Sequence, residues 1–431
     1  MEELQTKNFI LGNLLISSTK TFSNEQDISK LETYGVKIKT GNDISANEYR
    51  PQIIELVGEI ESRKQGGSIA NVAYTSSGIS GQKATFINRK VKDVYKADFD
   101  FLKTKAGEYG VDFADFGEDG VLFTNITFLN NSKERGFIYP DGSPKIGFNV
   151  DELSVFLSNT DINTKIRVCI YLEQYAFLED NFNFYQVCAT IKEIYGDRVD
   201  IVLGINENTE KNISKSTLLK SMSDYHIKRI GLDLDQFIFY FFKEDIQDFN
   251  KAQIDELKKK ITEEFDLEAL RSCLKDSALL DRTDFFITDG PDKVITVTNL
   301  DGNGVKLIKH EILTLGEQVI KNGSGLSGAG DTFFGAVDGV IKSGETDVEK
   351  IVSFANLTVA IKISEKDKKI VVGGRLTAEA LKAIRELELA EYFKTSSEER
   401  MAKFGKIRQE IKINTKSQSK EMGEQACSAF V

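Results

Sequence analysis

The most informative part of the chain is Ser324–Ala336, with the sequence Ser-Gly-Leu-Ser-Gly-Ala-Gly-Asp-Thr-Phe-Phe-Gly-Ala. Gly328, Ala329 and Gly330 carry no sizeable side chain, and an apolar pattern with helical spacing follows Asp331 at once. Backbone N–H groups at the start of a helix have no intrahelical acceptor, so an unobstructed helix start can hold an anion. Asp331 beside such a cradle is placed to take a proton from a hydroxyl group that attacks a phosphate.

Two interpretations of this run are open from the residues alone. The alternative to an anion site is a small-residue turn that caps an ordinary helix, with Asp331 favourable at the positive end of the helix dipole. A second motif, Gly66-Gly67-Ser68-Ile69-Ala70-Asn71, lies far earlier in the chain. Its glycines allow a substrate to lie against the backbone, and Asn71 can donate to and accept from hydroxyl groups. A turn with Ser68 as the N-cap explains this second motif equally well.

The composition limits the class of protein. The chain has 431 residues, of which 40% are hydrophobic and 29% charged, as in a soluble globular protein with one large α/β domain or several smaller ones. The net charge of −11 argues against nucleic-acid and membrane partners. Four scattered cysteines and two distant histidines favour neither a disulfide framework nor structural zinc. The first residues lack the pattern of a signal peptide, so we expect a cytoplasmic protein.

Short β-branched or aromatic runs alternate with amphipathic runs, which predicts a mostly parallel sheet covered by helices. The predicted strands are Phe9–Ile16, Ala84–Ile87, Arg167–Leu172, Asp200–Gly204, Ile227–Leu232, Phe285–Thr288 and Val294–Thr298. The predicted helices are one that Pro51 opens, then 97–109, 181–195, 248–265, 346–364 and 376–393. Val121–Leu129 and Gly136–Tyr139 instead suggest a hairpin. Lys412–Val431 is polar and predicts a solvated or disordered tail.

The Gly-Ala-Gly-Asp run resembles the C-terminal motif of the ribokinase-like (PfkB-type) carbohydrate and nucleoside kinases. The Gly-Gly-x-x-x-Asn run resembles the substrate motif of the same family, and Gly12–Ser17 is similar to the start of its adenosine kinase branch. The resemblance covers about residues 9–385. It implies a three-layer α/β sandwich with a central, mostly parallel sheet over residues 1–393, and a small β lid from about 17–50 and 112–140. Residues 394–431 then form a helical or disordered tail.

The resemblance also implies an activity. It is that of an ATP-dependent phosphotransferase acting on a hydroxyl group of a sugar or nucleoside, with ATP and Mg²⁺ as cofactors and a small-molecule acceptor as partner. Asp331 is then the general base, and Gly328, Ala329 and Gly330 form the anion hole. The remaining implied site residues are Asn13, Ser17, Gly67, Asn71 and Arg135 for the acceptor, Thr288, Gly290 and Asn356 for ATP, and Asp235 for the metal through water.

One residue and three short segments depart from the family pattern. Ser17 replaces an aspartate that holds substrate hydroxyl groups, and Gly325-Leu326 replaces the Asp-Thr pair of a monovalent-cation site. Leu232–Asp235 keeps only a shortened acid of the Asn-x-x-Glu motif, and Asn88–Asp93 lacks the glycines of Gly-Arg-Val-Gly-x-Asp. A second hypothesis is therefore a catalytically impaired relative that binds a nucleotide, a sugar or a protein partner. An NAD-binding protein is excluded, because no Gly-x-Gly-x-x-Gly turn follows the first strand.

Overall fold

The structure, a computed structural model, describes residues 6–11, 15–21, 24–33, 43–45, 62–91, 93, 96–120, 123–129, 135–139, 150–159, 165–172, 184–205, 213–243, 249–290, 293–313, 315, 317–323, 326, 328–372, 374–387, 399 and 403–415. The helix predicted after Pro51 lies outside these residues, as do Gly12, Asn13 and the end of the predicted tail.

Sixteen strands lie in the described part of the chain. They are β1 (Thr6–Leu11), β2 (Leu15–Thr21), β3 (Asp43–Ser45), β4 (Ser62–Gly66), β5 (Ala84–Val91), β6 (Val111–Gly120), β7 (Phe123–Leu129), β8 (Arg135–Tyr139), β9 (Lys165–Leu172), β10 (Val199–Ile205), β11 (Arg229–Asp233), β12 (Asp284–Asp289), β13 (Lys293–Thr298), β14 (Lys306–Glu311), β15 (Val371–Val372) and β16 (Arg375–Leu376).

Nine of these strands form the central sheet, in the order β14-β13-β12-β11-β10-β9-β1-β5-β6. All pairs from β6 to β12 are parallel, and β13 and β14 extend the sheet by antiparallel pairing. Both β-β connections at the β12 side are short, which antiparallel pairing permits, whereas the parallel pairs need crossover connections. The mostly parallel central sheet predicted from the sequence is confirmed.

The helices cover this sheet. They are α1 (Glu25–Thr33), α2 (Ser68–Ser80), α3 (Lys96–Gly107), α4 (Val150–Ser158), α5 (Phe184–Tyr195), α6 (Lys215–Tyr225), α7 (Leu234–Phe241), α8 (Lys251–Lys259, continued by a π-helical turn over Lys260–Glu264), α9 (Leu267–Cys273), α10 (Glu317–Asn322), α11 (Ala329–Lys342), α12 (Val348–Ser364), α13 (Ala378–Arg385) and α14 (403–415). None of the helices in the described ranges is long and apolar enough to cross a membrane.

The central strands are buried on both faces, as a parallel sheet between helices requires. Along β9, Val168 and Ile170 belong to the hydrophobic cluster on one face, and Cys169 between them belongs to the cluster on the other face. The first cluster contains side chains of α5, α6 and α7, and the second contains side chains of α2 and Phe334 of α11. The period of two in the strands therefore builds the three-layer sandwich.

Two helices on one face approach each other unusually closely, and this approach positions the candidate site. A Cβ atom on Gly335 of α11 would lie 2.7 Å from the Val72 carbonyl oxygen of α2, and one on Gly339 would lie 2.9 Å from the Ser76 carbonyl oxygen. Only glycine allows such contact between the two helix backbones. The start of α11 is thereby brought to the first turns of α2.

A second, five-stranded sheet has the order β3-β8-β7-β2-β4. The predicted hairpin is confirmed, because β7 and β8 pair antiparallel. The predicted lid ranges need two corrections. Residues 112–120 belong to β6 of the central sheet, since they continue its parallel pairing with β5. Residues 62–66, which the prediction omitted, form β4 and pair antiparallel with β2.

The last described element is α14, which packs on the main body. Phe404, Ile407 and Ile411 are buried together with side chains of α12, α13 and the β15–β16 hairpin. The Glu365 carboxylate, buried at the end of α12, accepts a hydrogen bond from Arg408 at 2.5 Å. The prediction of a solvated segment from Lys412 onwards is wrong for Thr415, which is buried in the last turn of α14.

Candidate active site at the start of α11

The start of α11 has the backbone form that the sequence indicated. Gly328 is the N-cap residue, with φ 73° in the left-handed region, and a Cβ atom there would lie 2.7 Å from Asn71 Nδ2. A side chain at Gly328 would therefore be both strained and obstructed. A Cβ atom on Gly330 would meet no atom within 4 Å, so open space lies in front of this exposed residue.

The amide groups of the predicted anion hole are not equivalent. The Ala329 N–H donates to the Leu326 carbonyl oxygen at 3.0 Å, and the Thr332 N–H donates to the Gly328 carbonyl oxygen at 3.0 Å. The Gly330 N–H lies in the first helical turn, where amides have no intrahelical acceptor. Of the amide groups in the predicted anion hole, the Ala329 N–H therefore already has a backbone acceptor, whereas the Gly330 N–H lies among the amides that a helix start leaves without an intrahelical one.

Asp331 is half-buried in the first turn of α11, and Asn71 of α2 contacts it directly. Asn71 Nδ2 donates to Asp331 Oδ2 at 3.1 Å, although 260 residues separate the two in sequence. Gly67 is the N-cap residue of the same helix, with φ 96°, so it lies about one turn before Asn71. The structure therefore brings both predicted motifs to one place.

Arg375 also belongs to this group, and no motif in the sequence pointed to it. Arg375 Nε donates to Asn71 Oδ1 at 2.6 Å, and the guanidinium carbon lies 5.2 Å from the centre of the Tyr74 ring. The available signal in the sequence was the Gly-Gly pair at 373–374 directly before the arginine, and the structure gives Gly374 a φ of 79°. Such a pair predicts a turn, but nothing in it indicates which distant residue the arginine contacts.

The hairpin that carries Arg375 is fixed by α2 and its neighbours. Tyr74 stacks on Tyr109 with ring centres 4.5 Å apart, and the Tyr109 hydroxyl donates to the Leu376 carbonyl oxygen at 2.9 Å. Burial raises the pKa of Tyr109 to about 12, so the hydroxyl keeps the proton that it donates. The stacking of Tyr74 on Tyr109 and the hydrogen bond from Tyr109 to Leu376 thus fix the backbone next to Arg375 against α2.

The other predicted acceptor residues are described only in part. Ser17 lies in β2, where it pairs with Lys64 and Asn125, and Arg135 is the first residue of β8. Both strands belong to the five-stranded sheet, whereas the two side chains and the whole of Asn13 lie outside the described residues.

The predicted nucleotide residues lie on three neighbouring elements. Thr288 is near the carboxyl end of β12 and pairs with Asp233 of β11, and Gly290 follows in an exposed turn with φ 54°. Asn356 is half-buried within α12, which packs against α11 in a common hydrophobic cluster. The carboxyl ends of parallel strands are the usual position of a ligand site in such sheets.

Asp235, the residue predicted to bind the metal through water, forms an ion pair with Lys258 instead. Asp235 Oδ2 accepts a hydrogen bond from Lys258 Nζ at 2.6 Å, and Asp233 caps α7 by accepting from the Gln236 N–H at 2.8 Å. In the part of the chain that the structure describes, no three His, Cys, Asp or Glu side chains form a metal-binding group. A magnesium ion would fit here only in its common mode, held mainly by nucleotide phosphates and water.

Comparisons with known proteins agree with this fold. No profile of a known protein family matches the sequence, and no curated protein sequence is similar to it. The structure is similar to a probable sugar kinase from Rhizobium etli, with TM-score 0.59 and 13% identity over 88% of this chain and 97% of that one. It is also similar to adenosine kinase from Sinorhizobium meliloti, with TM-score 0.56 and 15% identity over 83% of this chain and 94% of that one.

A third similar structure is a ribokinase from Cryptococcus neoformans in complex with ADP, with TM-score 0.54 and 13% identity. It covers 88% of this chain and 99% of its own length. The chain therefore has the ribokinase-like α/β fold that the resemblance of its motifs implied, at a sequence identity that carries the fold alone.

Proposed function

We propose that the chain is an ATP-dependent phosphotransferase that acts on a hydroxyl group of a sugar or nucleoside, with Asp331 as the general base. The observation that carries this proposal is the position of the Asp331 carboxylate, at a helix start with open space before Gly330 and with Asn71 as its hydrogen-bond donor. A kinase requires both a base for the acceptor hydroxyl and a place for the transferred phosphoryl group.

The mechanism assigns a task to each group of the site. The oxygen of the acceptor hydroxyl group attacks the γ-phosphorus of ATP, and ADP leaves. Asp331 accepts the proton of this hydroxyl group during the attack. The Gly330 N–H and the positive end of α11 stabilise the charge on the transferred phosphoryl group. Mg²⁺ neutralises phosphate charge when it is bound with ATP. Asn71 orients the base, and with Asn13, Ser17, Gly67 and Arg135 it holds the acceptor.

The nucleotide has its own support. One similar structure is described as a ribokinase in complex with ADP, and another, with TM-score 0.51, as an Arabidopsis thaliana ribokinase complexed with ribose and ATP. We infer that ATP binds here between Thr288, Gly290 and Asn356, at the carboxyl end of β12 and beside α12. Soluble, cytoplasmic kinases of small molecules are the class to which this proposal assigns the chain.

The second candidate is a relative that binds a nucleotide, a sugar or a protein partner without turnover. Two contacts favour it. The Ala329 N–H is committed to the Leu326 carbonyl oxygen, and the Asp235 carboxylate is committed to Lys258. The Ala329 N–H would have to leave the Leu326 carbonyl oxygen before it could donate to a phosphate. The Asp235 carboxylate would likewise have to leave Lys258 before it could bind a metal through water.

The replacement Asp331→Asn tests the proposed base. An amide keeps the size of the side chain and the contact with Asn71, so we expect the free energy of unfolding to change by about 1 kcal/mol or less. An amide does not accept a proton at neutral pH, so turnover should fall by a factor of about 10² or more. The measurements are ATP consumption with panels of nucleosides and sugars, and thermal shifts with ATP and Mg²⁺.

Asp347→Asn is the matched control. Asp347 also stands at a helix start, where its carboxylate accepts from the Glu349 and Lys350 N–H groups of α12. Asparagine caps well, so this variant should keep both its melting temperature and its turnover. Equal turnover in Asp331→Asn and the wild-type protein would remove Asp331 from the mechanism. A thermal shift with ATP but no turnover with any acceptor would favour the second candidate.

A further inference from the structure

We propose that Arg375 is a positioning residue for Asp331, because its guanidinium fixes the Asn71 amide in the one orientation that donates to the Asp331 carboxylate. This inference rests on the proposed function, since it assigns Arg375 a task in proton transfer. The three side chains form a single row, with Arg375 Nε 2.6 Å from Asn71 Oδ1 and Asn71 Nδ2 3.1 Å from Asp331 Oδ2.

The chemistry of the row allows one orientation of the amide. A guanidinium has only donors, and an ionised carboxylate has only acceptors. An amide between them satisfies both when its oxygen faces Arg375 and its NH₂ group faces Asp331. In the reverse orientation, the Asn71 NH₂ group would face the Arg375 guanidinium, donor against donor. The Asn71 oxygen would face the Asp331 carboxylate, acceptor against acceptor. Arg375 therefore determines what Asn71 presents to the base, without touching the base itself.

The row leaves Asn71 able to act on the acceptor as well. An amide oxygen has two lone pairs and an NH₂ group has two protons, and Arg375 and Asp331 use one of each. One N–H and one lone pair remain for a hydroxyl group beside Asp331. Fixing the amide would thus align the acceptor and the base together, a geometric effect that contributes directly to the rate.

The Arg375 side chain is itself held in place. Without its neighbours it could adopt several rotamers. The Tyr74 ring lies 5.2 Å from its guanidinium carbon. Leu376, which follows Arg375, and Val371, which pairs with Leu376 across the hairpin, are buried in the cluster that contains α14. A long side chain loses conformational entropy when it is fixed, so a support of this kind is needed for precise placement. The arginine is also charge-assisted as a donor, which makes its bond to Asn71 stronger than a neutral one.

The kinetic test is a double-mutant cycle with R375Q, N71A and R375Q/N71A. If Arg375 acts through Asn71, R375Q should lower kcat by about tenfold or more with a smaller change in the KM of the acceptor. The same replacement should have no further effect in the N71A background, because the two residues act as a unit. An equal loss from R375Q in both backgrounds would overturn the proposal, since it would show a route that does not pass through Asn71.

R385Q is the matched control. Arg385 is an exposed arginine on α13, and its guanidinium donates to the Gly78 carbonyl oxygen of the same helix α2 at 3.5 Å. Its replacement removes the same charge from the same region, so kcat should stay within about twofold of the wild-type value. A loss in R385Q equal to that in R375Q would show that charge near α2, not the orientation of Asn71, sets the rate, and would overturn the proposal.

A second measurement is independent of turnover. In protein labelled with ¹⁵N-asparagine, the side-chain NH₂ signal of Asn71 is identified by its loss in N71D. We expect this signal to move in R375Q and its protons to exchange with water about tenfold faster, because one anchor of the amide is gone. An unchanged signal in folded R375Q would overturn the proposal, even if the protein turns over.

The proposed function and the proposed role of Arg375 can be refuted independently of each other. Absence of turnover in the wild-type protein with every acceptor would refute the proposed function, and the Asn71 signal would still decide the role of Arg375. If R375Q loses its near-UV circular dichroism, R375M takes its place in both measurements. Methionine keeps an unbranched stem but has no N–H donor, so the Asn71 signal should show the same loss of protection, and unchanged protection would overturn the proposal.

Discussion

Gly328 and Gly330 stand in one turn, but each lacks a side chain for a different reason. Gly328 needs its positive φ, and it also leaves room for the Asn71 amide 2.7 Å from where a Cβ atom would be. Gly330 has no positive φ, and open space lies before it. The first glycine is therefore required by the structure, and the second is required only if a ligand occupies that space.

Replacing each glycine with alanine separates these reasons. We expect G330A to raise the free energy of unfolding by up to about 1 kcal/mol, since alanine is the better helix former. If a phosphoryl group occupies the space before Gly330, turnover should nevertheless fall, because the new methyl group lies there. G328A should lower the free energy of unfolding by about 1 kcal/mol or more, because alanine is strained at a positive φ. Chemical unfolding and ATP consumption measure both, and a G330A variant with full turnover would place the phosphate elsewhere.

At the scale of residues, the sequence predicts those members of the site that lie in motifs. Asn71 and Asp331 each follow glycines at a helix start, so their types and spacing carry local information about backbone conformation. Arg375 carries none, since its partners Asn71 and Tyr74 lie on α2, and only the packing of α2 against the β15–β16 hairpin joins them. Asp235 lies in a predicted motif, yet its contact with Lys258 could not be predicted locally either, because it depends on where α8 lies.

At the scale of elements, periodicity predicts most of the central sheet. The strands at Arg167, Asp200, Phe285 and Val294 are confirmed within a few residues, because each is an apolar run bounded by polar turns. Short strands with little apolar content are harder to predict. The strand β4, Ser62–Gly66, contains no aliphatic or aromatic residue, and only its pairing with β2 defines it.

The helix α14 offers a sharper test, because two isoleucines on it differ only in their surroundings. Ile411 is fully buried and Ile413 is 64% exposed. We expect I411A to lower the free energy of unfolding by about 2–5 kcal/mol, as other buried truncations do. I413A should change it by about 0.5 kcal/mol or less. Urea unfolding of both variants measures this, and equal effects would mean that α14 does not pack on the body in solution.

At the scale of the molecule, α11 connects the candidate site to a buried charge cluster. Asp331 stands in its first turn, and Asp338 follows two turns later with a side chain only 1% exposed. Asp338 Oδ2 lies 2.9 Å from Lys342 Nζ and accepts from the Ser76 hydroxyl of α2 at 2.7 Å. Arg167 and Arg229, from strands β9 and β11, lie 3.7 Å and 3.4 Å from its other oxygen. One carboxylate thus ties two central strands to the two helices that carry the site.

The cluster is charged at neutral pH. Burial, with the charge of Arg167, lowers the pKa of Arg229 to about 10, which still leaves it protonated at pH 7. Burial would raise the pKa of Asp338, but the charges of Lys342, Arg167 and Arg229 outweigh burial and lower that pKa well below its ordinary value. Breaking such a pair on one side leaves buried charges without compensation, which costs far more than the pair contributes.

Asp338→Asn should therefore destabilise the fold in a manner that depends on pH. At pH 7 we expect a loss of about 3–5 kcal/mol in the free energy of unfolding, because three cations then surround an amide. A carboxyl group with a lowered pKa in the folded state stabilises fully above its unfolded pKa of about 3.9, and this contribution is lost as the pH falls towards the folded pKa. The deficit of the variant should thus shrink between about pH 4 and pH 2, since only the wild-type protein loses this contribution. Asp197→Asn removes the same charge from a fully exposed side chain and should leave urea unfolding unchanged. A deficit as large at low pH as at pH 7 would mean that Asp338 acts through packing, not charge.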